Sequence, residues 1–192
     1  MKHIVLATQN ANKIDEIAPH LEYLHYTVDT LADFAGDVVI KEKGSTLEEN
    51  ALLKARALRT HTSAMVLADD SGLEVDALGG KPGVMSKRFS NEGTDDANNR
   101  LLLEKMANER NRRATFKTVM ALIEEDGSEH IFEGTLPGYI HTALEGEEGF
   151  GYDPLFIPVG YSKTLAALGM DVKNTISHRR KCLERVLQFL RK

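Results

Sequence analysis

An α/β fold is what this sequence predicts, and three observations carry the expectation. Residues 3–7, H-I-V-L-A, are a short strand-type run followed by a polar turn and by apolar residues at helical spacing, the order that opens an α/β unit. The pattern Thr46-Leu-Glu-Glu49 reads as a capping box, with Thr46 as N-cap and Glu49 at N3, ahead of another strand-type run. Between residues 114 and 143 the chain turns β-rich around Asp126-Gly127, a strong hairpin signal.

The elements follow in order. Ile14, Ile17, Ala18, Leu21 and Leu24 share one helical face, and residues 26–31 read as a second strand. The capped helix runs from Thr46 to about residue 59. Residues 65–68 and 73–77 read as two separate strands, and 79–83 as a Gly-Pro turn. A helix is expected over 95–108, with Leu101, Leu102, Met106 and Leu103 inward. Strands are expected over 115–125, 129–136 and 139–143, the last two separated by Pro137-Gly138. Residues 145–154 form a Gly-rich acidic loop, and a last helix over 175–190 carries Leu183, Val186, Leu187 and Leu190 on one face. With no repeat, low-complexity stretch or clear linker, residues 1–192 read as a single domain.

Composition narrows the function. The chain is 42% hydrophobic and 28% charged, ordinary for a globular protein. A net charge of −5 supplies no broad basic footprint, so nucleic acid is not an expected partner. The lone Cys182 allows no internal disulfide and no multi-cysteine zinc site. No apolar run reaches spanning length and no signal peptide is apparent, so a cytoplasmic protein without membrane contact is expected.

Four segments hold candidate chemistry. In the turn at residues 8–13, Thr8, Gln9, Asn10 and Lys13 surround the start of a helix, where free N–H groups and the dipole favour an anion. Asn12 there tolerates a left-handed backbone. No Walker A or dinucleotide pattern is present, and taken alone the segment reads more readily as a plain capped turn. In A-D-D-S-G (68–72), two adjacent carboxylates would repel if both were buried. One Asp is therefore expected to face a site, as a Mg²⁺ ligand, and the other to serve a turn; an Asx-turn alone stays open. In G-F-G-Y-D-P (149–154), the glycines allow close approach to a flat ligand, and Phe150 can stack on a base or plug the loop. In K-N-T-I-S-H-R (173–179), Lys173, His178 and Arg179 put cations at a helix N-terminus, which calls for an anion or acceptor; a solvated basic patch with Arg180-Lys181 is the alternative. Cys182 and His61 read as structural, and Ser71 lies in no nucleophile elbow.

Together and in this order, the segments resemble the inosine triphosphate pyrophosphatase family, the non-canonical purine NTP pyrophosphatases. L-A-T-Q-N-A-N-K (6–13), E-K-G-S-T-L-E-E-N-A-L-L-K-A (42–55), L-A-D-D-S-G-L-E-V-D-A-L-G-G-K-P-G-V (67–84), G-F-G-Y-D-P and K-N-T-I-S-H-R carry the resemblance, with S-K-R-F (86–89) and F-E-G-T-L-P-G-Y-I (132–140). It implies an elongated mixed β-sheet flanked by helices, two lobes around a central nucleotide-binding cleft, and a homodimer. It implies that Thr8, Gln9, Asn10, Ala11, Asn12 and Lys13 hold a triphosphate with Lys54. Glu42 and Asp70 resemble the Mg²⁺ ligands, Asp70 also being the catalytic proton acceptor. Ser71, Phe150, Gly151, Tyr152, Asp153, Lys173, His178 and Arg179 match substrate-contact positions. The chain departs from the pattern at Leu47, where Phe is usual, at Lys87, where a small residue is common, and at Ala167, where Glu is often seen.

The implied activity is Mg²⁺-dependent hydrolysis of ITP, dITP and XTP to the monophosphate and pyrophosphate, keeping these nucleotides out of DNA and RNA. The alternatives are a Maf-like pyrophosphatase acting on pyrimidine or modified nucleotides, against which K-N-T-I-S-H-R argues, and a nucleotide sensor without hydrolysis, against which Glu42 and Asp70 argue.

Overall fold

The structure, a computed structural model, describes residues 2–34, 38 and 40–192. The chain runs β1 (Lys2–Leu6), α1 (Ala11–Tyr23), β2 (Tyr26–Thr30), α2 (Leu31–Phe34), α3 (Leu47–Arg59) and β3 (Met65–Val75). Two 3-10 segments, Asp76–Leu78 and Gly83–Arg88, lead to α4 (Asp95–Met106) and the strands β4 (Arg113–Ile123) and β5 (Glu129–Ile140). The chain ends with β6 (Phe156–Pro158), α5 (Leu165–Leu168), α6 (Met170–Ile176) and α7 (His178–Leu190). Six strands form one mixed sheet in the order β2-β1-β3-β4-β5-β6. β1 is parallel to β2 and β3, with Ile4 opposite Met65 and Leu6 opposite Leu67, while β5 and β6 are antiparallel.

By internal contacts the chain gathers into two compact units: residues 1–70, 118–134 and 180–192, and residues 71–117 and 135–179. The first packs Ile17 and Leu21 of α1, and Cys182, Leu183, Val186 and Leu187 of α7, around Ile4, Leu6, Leu67 and Met120. These are the helix faces the spacing predicts. Cys182 is fully buried with its thiol on the Phe132 carbonyl, and burial pushes it up to about 12, so it is an inert packing residue. His61 is exposed just beyond α3. The second unit centres on Leu73, Leu102, Met106, Phe116, Leu136 and Phe156, with the Phe116 and Phe156 rings 4.4 Å apart. No described helix is long and apolar enough to cross a membrane.

Four local expectations are corrected. First, residues 65–68 and 73–77 are not two strands. β3 runs unbroken through Asp69, Asp70, Ser71 and Gly72. Asp-Asp-Ser-Gly disfavours strand, but tertiary partners for both carboxylates override that propensity.

Second, Pro137-Gly138 does not interrupt β5. The alternation of exposed and buried residues continues through exposed Pro137, buried Gly138 and exposed Tyr139. The Pro137 carbonyl accepts from Val159 N at 3.0 Å, and Gly138 lets the strand close on β6, because a Cβ there would collide with the Ile157 carbonyl and the Phe156 ring. Gly138→Ala should therefore cost about 1–3 kcal/mol in urea denaturation. An unchanged midpoint would show that β6 gives way freely.

Third, the last helix does not begin near residue 175. Ser177 is extended, at φ −62° and ψ 154°, and divides α6 from α7. Fourth, the capping box is only half formed. Thr46 Oγ1 accepts from Glu49 N at 3.1 Å, but the Glu49 carboxylate turns to the Ser45 amide and hydroxyl at 2.6 and 2.9 Å. The Ser45 donors draw the carboxylate one residue short of the N-cap amide.

Candidate active site

In the first unit the site grows from the end of β1 and the middle of β3. Parallel strands direct the chain that follows them to one edge of a sheet, where α/β proteins bind ligands. The strand pairing extends past β1 through Ala7 N to Leu67 O at 2.9 Å. Residues 8–10 then turn into α1. Asn10 is the N-cap: its side chain accepts from Asn12 N at 3.0 Å, while Thr8 Oγ1 accepts from Asn10 N at 3.1 Å. Gln9, Ala11 and Asn12 are exposed. Asn12 is not left-handed, because it lies in α1, and His25 is the one described non-glycine residue with positive φ. The capped-turn reading and the anion-site reading describe the same residues.

Asp69 and Asp70 are both buried, at 2% and 7% exposure, so the expectation that one would be spent on a turn is wrong. Neighbours on a strand face opposite ways, and each carboxylate has its own lysine. Lys13 Nζ lies 2.9 Å from Asp69 Oδ2, and Lys54 Nζ lies 3.5 Å from Asp70 Oδ1. Lys54 also reaches Glu42 Oε1 at 3.1 Å, so one ammonium gathers the two carboxylates the sequence singles out.

The electrostatics follow from burial. Desolvation raises the Asp70 carboxyl above its ordinary range, Lys54 pulls it down, and Glu42 pushes it up again. For Lys54, burial opposes the charge, but Asp69, Asp70 and Glu42 outweigh it and hold the lysine above its ordinary range. The centre is two buried aspartates and a half-buried Glu42 around a buried lysine held in its charged form.

Two residues the sequence reading passed over place Glu42. Asn50, fully buried on α3, accepts from Gly44 N at 2.7 Å through its side chain. Gly44 can sit there because a Cβ would lie 2.6 Å from Asn50 Oδ1. The available signal was an Asn on the apolar face of α3, between Leu47 and Lys54.

In the second unit, the loop at residues 149–153 meets α6 and the start of α7. Lys173 is not at the N-terminus of the last helix; it lies in α6, 2% exposed, with Nζ 2.7 Å from Asp153 Oδ2. Asp153 also accepts from Phe150 N at 3.1 Å, which locks the loop. A side chain at Gly149 would strike that carboxylate. The Phe150 ring has the Lys173 ammonium 4.0 Å from its centroid and the Arg179 guanidinium 5.7 Å away, a cation–π stack on a half-buried ring. His178, the first residue of α7, stacks on Phe116 at 4.7 Å and 10°. Arg179 is 3% exposed and donates to Ser71 Oγ at 3.2 Å.

The basic-patch alternative fails for His178 and Arg179, because both are buried. Arg180 takes a different course, to Glu184 at 3.0 Å and to the His20 ring at 2.7 Å. Tyr152 is buried with its hydroxyl donating to Ser86 O at 2.5 Å.

The departures from the family pattern settle into ordinary places. Leu47 is buried at the start of α3 and Lys87 is exposed. Ala167 N donates to the Thr164 hydroxyl that caps α5. Glu148, 22 residues before Met170 in the chain, accepts from Met170 N at 2.7 Å, supplying an acidic group at the start of α6.

The residues suit Mg²⁺ in donor chemistry. Glu42 and Asp70 offer only hard carboxylate oxygens, and Mg²⁺ binds through one or two carboxylates completed by water and substrate phosphate. Among the described residues no three His, Cys, Asp or Glu side chains form an all-protein metal cage.

A model of the Ham1 family matches residues 4–189 of the chain. A protein of Desulforamulus reducens named dITP/XTP pyrophosphatase is 45% identical over 190 residues, covering 97% of this chain and 94% of its own. One of Elusimicrobium minutum with the same name is 47% identical over 195 residues, covering 95% and 96%. The solved structure of the Staphylococcus aureus Ham1 protein superposes with a TM-score of 0.92 at 40% identity, over 99% of this chain and 98% of that one. With the family model spanning nearly the whole sequence and relatives this similar end to end, the chain belongs to the Ham1 family.

Proposed function

We propose that this chain is a Mg²⁺-dependent pyrophosphatase that hydrolyses ITP, dITP and XTP to the monophosphate and pyrophosphate. The observation that carries the reading is the buried Lys54 ammonium holding Glu42 and Asp70 together at 3.1 and 3.5 Å, with the capped turn at residues 8–13 anchored beside Asp69 through Lys13. Full-length relatives named dITP/XTP pyrophosphatase support it. A homodimer and a cytoplasmic setting belong to the same reading, supported by the family resemblance and the acidic, single-cysteine composition.

Glu42 and Asp70 would hold Mg²⁺, which when bound neutralises charge on the phosphates. Asp70 orients the attacking water and takes its proton. Thr8, Gln9, Asn10, Ala11, Asn12, Lys13 and Lys54 position the triphosphate with backbone and side-chain donors. Phe150, Gly151, Tyr152, Asp153, Lys173, His178, Arg179 and Ser71 form the nucleoside side. Purines with a 6-oxo group present an acceptor there, where adenine presents a donor. A site rich in cationic donors favours the first and leaves the second unpaired, a type of mismatch worth up to about 10⁴–10⁵-fold, while guanine, which shares the 6-oxo group, has to be rejected at its 2-amino group.

The test is pyrophosphate release from ITP, XTP, GTP, ATP and dTTP with and without Mg²⁺. Fast release from ITP and XTP alone, dependent on Mg²⁺, is the expected result. Equal turnover of ATP would sink the selectivity, preferred turnover of dTTP would make the chain a pyrimidine enzyme, and tight binding without release would make it a sensor.

A further inference from the structure

One residue of the 149–153 loop is gripped from both sides of its backbone by a helix to which no role in the reaction has been given. Gly151, at φ 62°, donates its N–H to Asp95 Oδ2 at 2.8 Å and accepts at its carbonyl from Asn99 Nδ2 at 2.8 Å. Asp95 and Asn99 are four residues apart, so they stand on one face of α4, one turn above the other. The second Asn99 Nδ2 hydrogen goes to Asp95 O at 2.9 Å. Both amide hydrogens therefore have acceptors, and Oδ1 has no donor among the described residues, so the orientation of the amide is fixed: a flip would set an oxygen against two carbonyls. Asn99 is 3% exposed, whereas Asp95 is exposed. The same helix also holds the 3-10 segment before it, Asn98 donating to Lys87 O at 3.1 Å and accepting from Ser90 N at 2.8 Å. That segment receives the Tyr152 hydroxyl at Ser86 O. Gly151 sits directly between Phe150 and Tyr152: its bonded N–H belongs to the Phe150–Gly151 peptide and its bonded C=O to the Gly151–Tyr152 peptide, so the backbone is held on both sides of Gly151, immediately next to the Phe150 ring.

We propose that Asp95 and Asn99 are positioning residues that clamp Gly151 and so preset the Phe150 ring for a flat, 6-oxo purine base. The inference rests on the reading that the 149–153 loop binds the base. Neither residue touches the reacting atoms. Each acts through the loop, by paying its ordering before substrate arrives, and so acts on substrate affinity and not on chemistry.

The test is steady-state ITP turnover, with Mg²⁺, by the full chain and by Asp95→Ala, Asp95→Asn, Asn99→Ala and Phe150→Leu, alongside each protein's thermal midpoint. Asp95→Ala and Asn99→Ala are expected to raise KM about tenfold with kcat within about twofold, the signature of lost positioning at the base end. Asp95→Asn keeps an acceptor for the Gly151 N–H and is expected to keep the KM of the unaltered chain. A clamp that served stability alone would lower the thermal midpoint and leave KM where it was, and that result overturns the proposal. Should Asn99→Ala fail to fold, the exposed Asp95 pair decides the matter. If Phe150→Leu raises KM and Asp95→Ala does not, the clamp is wrong and the base-loop reading stands; if Phe150→Leu leaves KM unchanged, the base-loop reading falls and takes the clamp with it.

Discussion

Asp70→Asn is expected to give a folded protein that releases pyrophosphate from ITP at least about 10²-fold more slowly, the usual worth of a positioned general base. Asn keeps the shape of the side chain and removes its charge. It cannot take a proton from water, and it is a poorer ligand for a hard cation.

Stability should not account for the loss. Burial and the neighbouring Glu42 raise the Asp70 carboxyl in the folded chain even though Lys54 opposes them. A carboxyl raised on folding binds its proton more readily in the native state. Stability therefore declines as pH climbs from the ordinary carboxylate value through the raised one, and above it the native state carries a penalty that an amide lacks. Asp70→Asn should thus melt no lower than the unaltered protein at neutral pH. Near-normal turnover by the folded variant would remove Asp70 from the catalytic role, whereas a large drop in melting temperature would show that Lys54 depends on both carboxylates for its place.

The second large effect is expected at Lys173. Its ammonium and the Asp153 carboxylate lie 2.7 Å apart with both side chains 3% exposed, so solvent screens the pair little. Lys173→Met leaves Asp153 buried without that cation, a change that costs about 3–5 kcal/mol for a buried pair. The same carboxylate holds Phe150 N, and the same ammonium lies under the Phe150 ring, so the loop should loosen and KM for ITP should rise. Adding Asp153→Asn, which removes the stranded charge and keeps an acceptor for Phe150 N, should recover much of the stability but not the affinity. Urea denaturation of the two single variants and the double measures the coupling. Additive losses would mean that the two residues are stabilised independently, and Lys173 would then be free to serve the substrate alone.

In the second unit the buried cations have partners other than those a helix N-terminus suggests. Cations at a helix N-terminus signalled that Lys173, His178 and Arg179 needed partners, and they have them. The geometry differs: Ser177 splits the helix, Lys173 belongs to α6 and meets Asp153, and His178 meets an aromatic ring. Asp153, expected as a substrate contact, holds both the loop and the lysine. Asp95 and Asn99 were invisible because Asp in a first helical turn and Asn on an amphipathic helix are ordinary residues until a loop about fifty positions away closes on them.

What the sequence determined by itself was everything governed by local periodicity and by motif. The helix faces of α1 and α7, the capped start of α3, the Asp126-Gly127 hairpin and the inert Cys182 follow from spacing and residue chemistry, whereas Glu42 and Lys54 were singled out only by the family resemblance. Local preference misled where long-range partners supplied more than it cost. Asp69, Asp70 and Gly72 read as a turn because unpaired carboxylates resist burial, yet Lys13 and Lys54, distant in sequence, make a strand the better state. Pro137-Gly138 reads as a break because proline lacks an N–H and glycine lacks a side chain, yet β6 needs that close approach. Only tertiary structure decided these points, because the energy of pairing a buried charge or closing a strand on its neighbour belongs to residues that the local sequence does not contain.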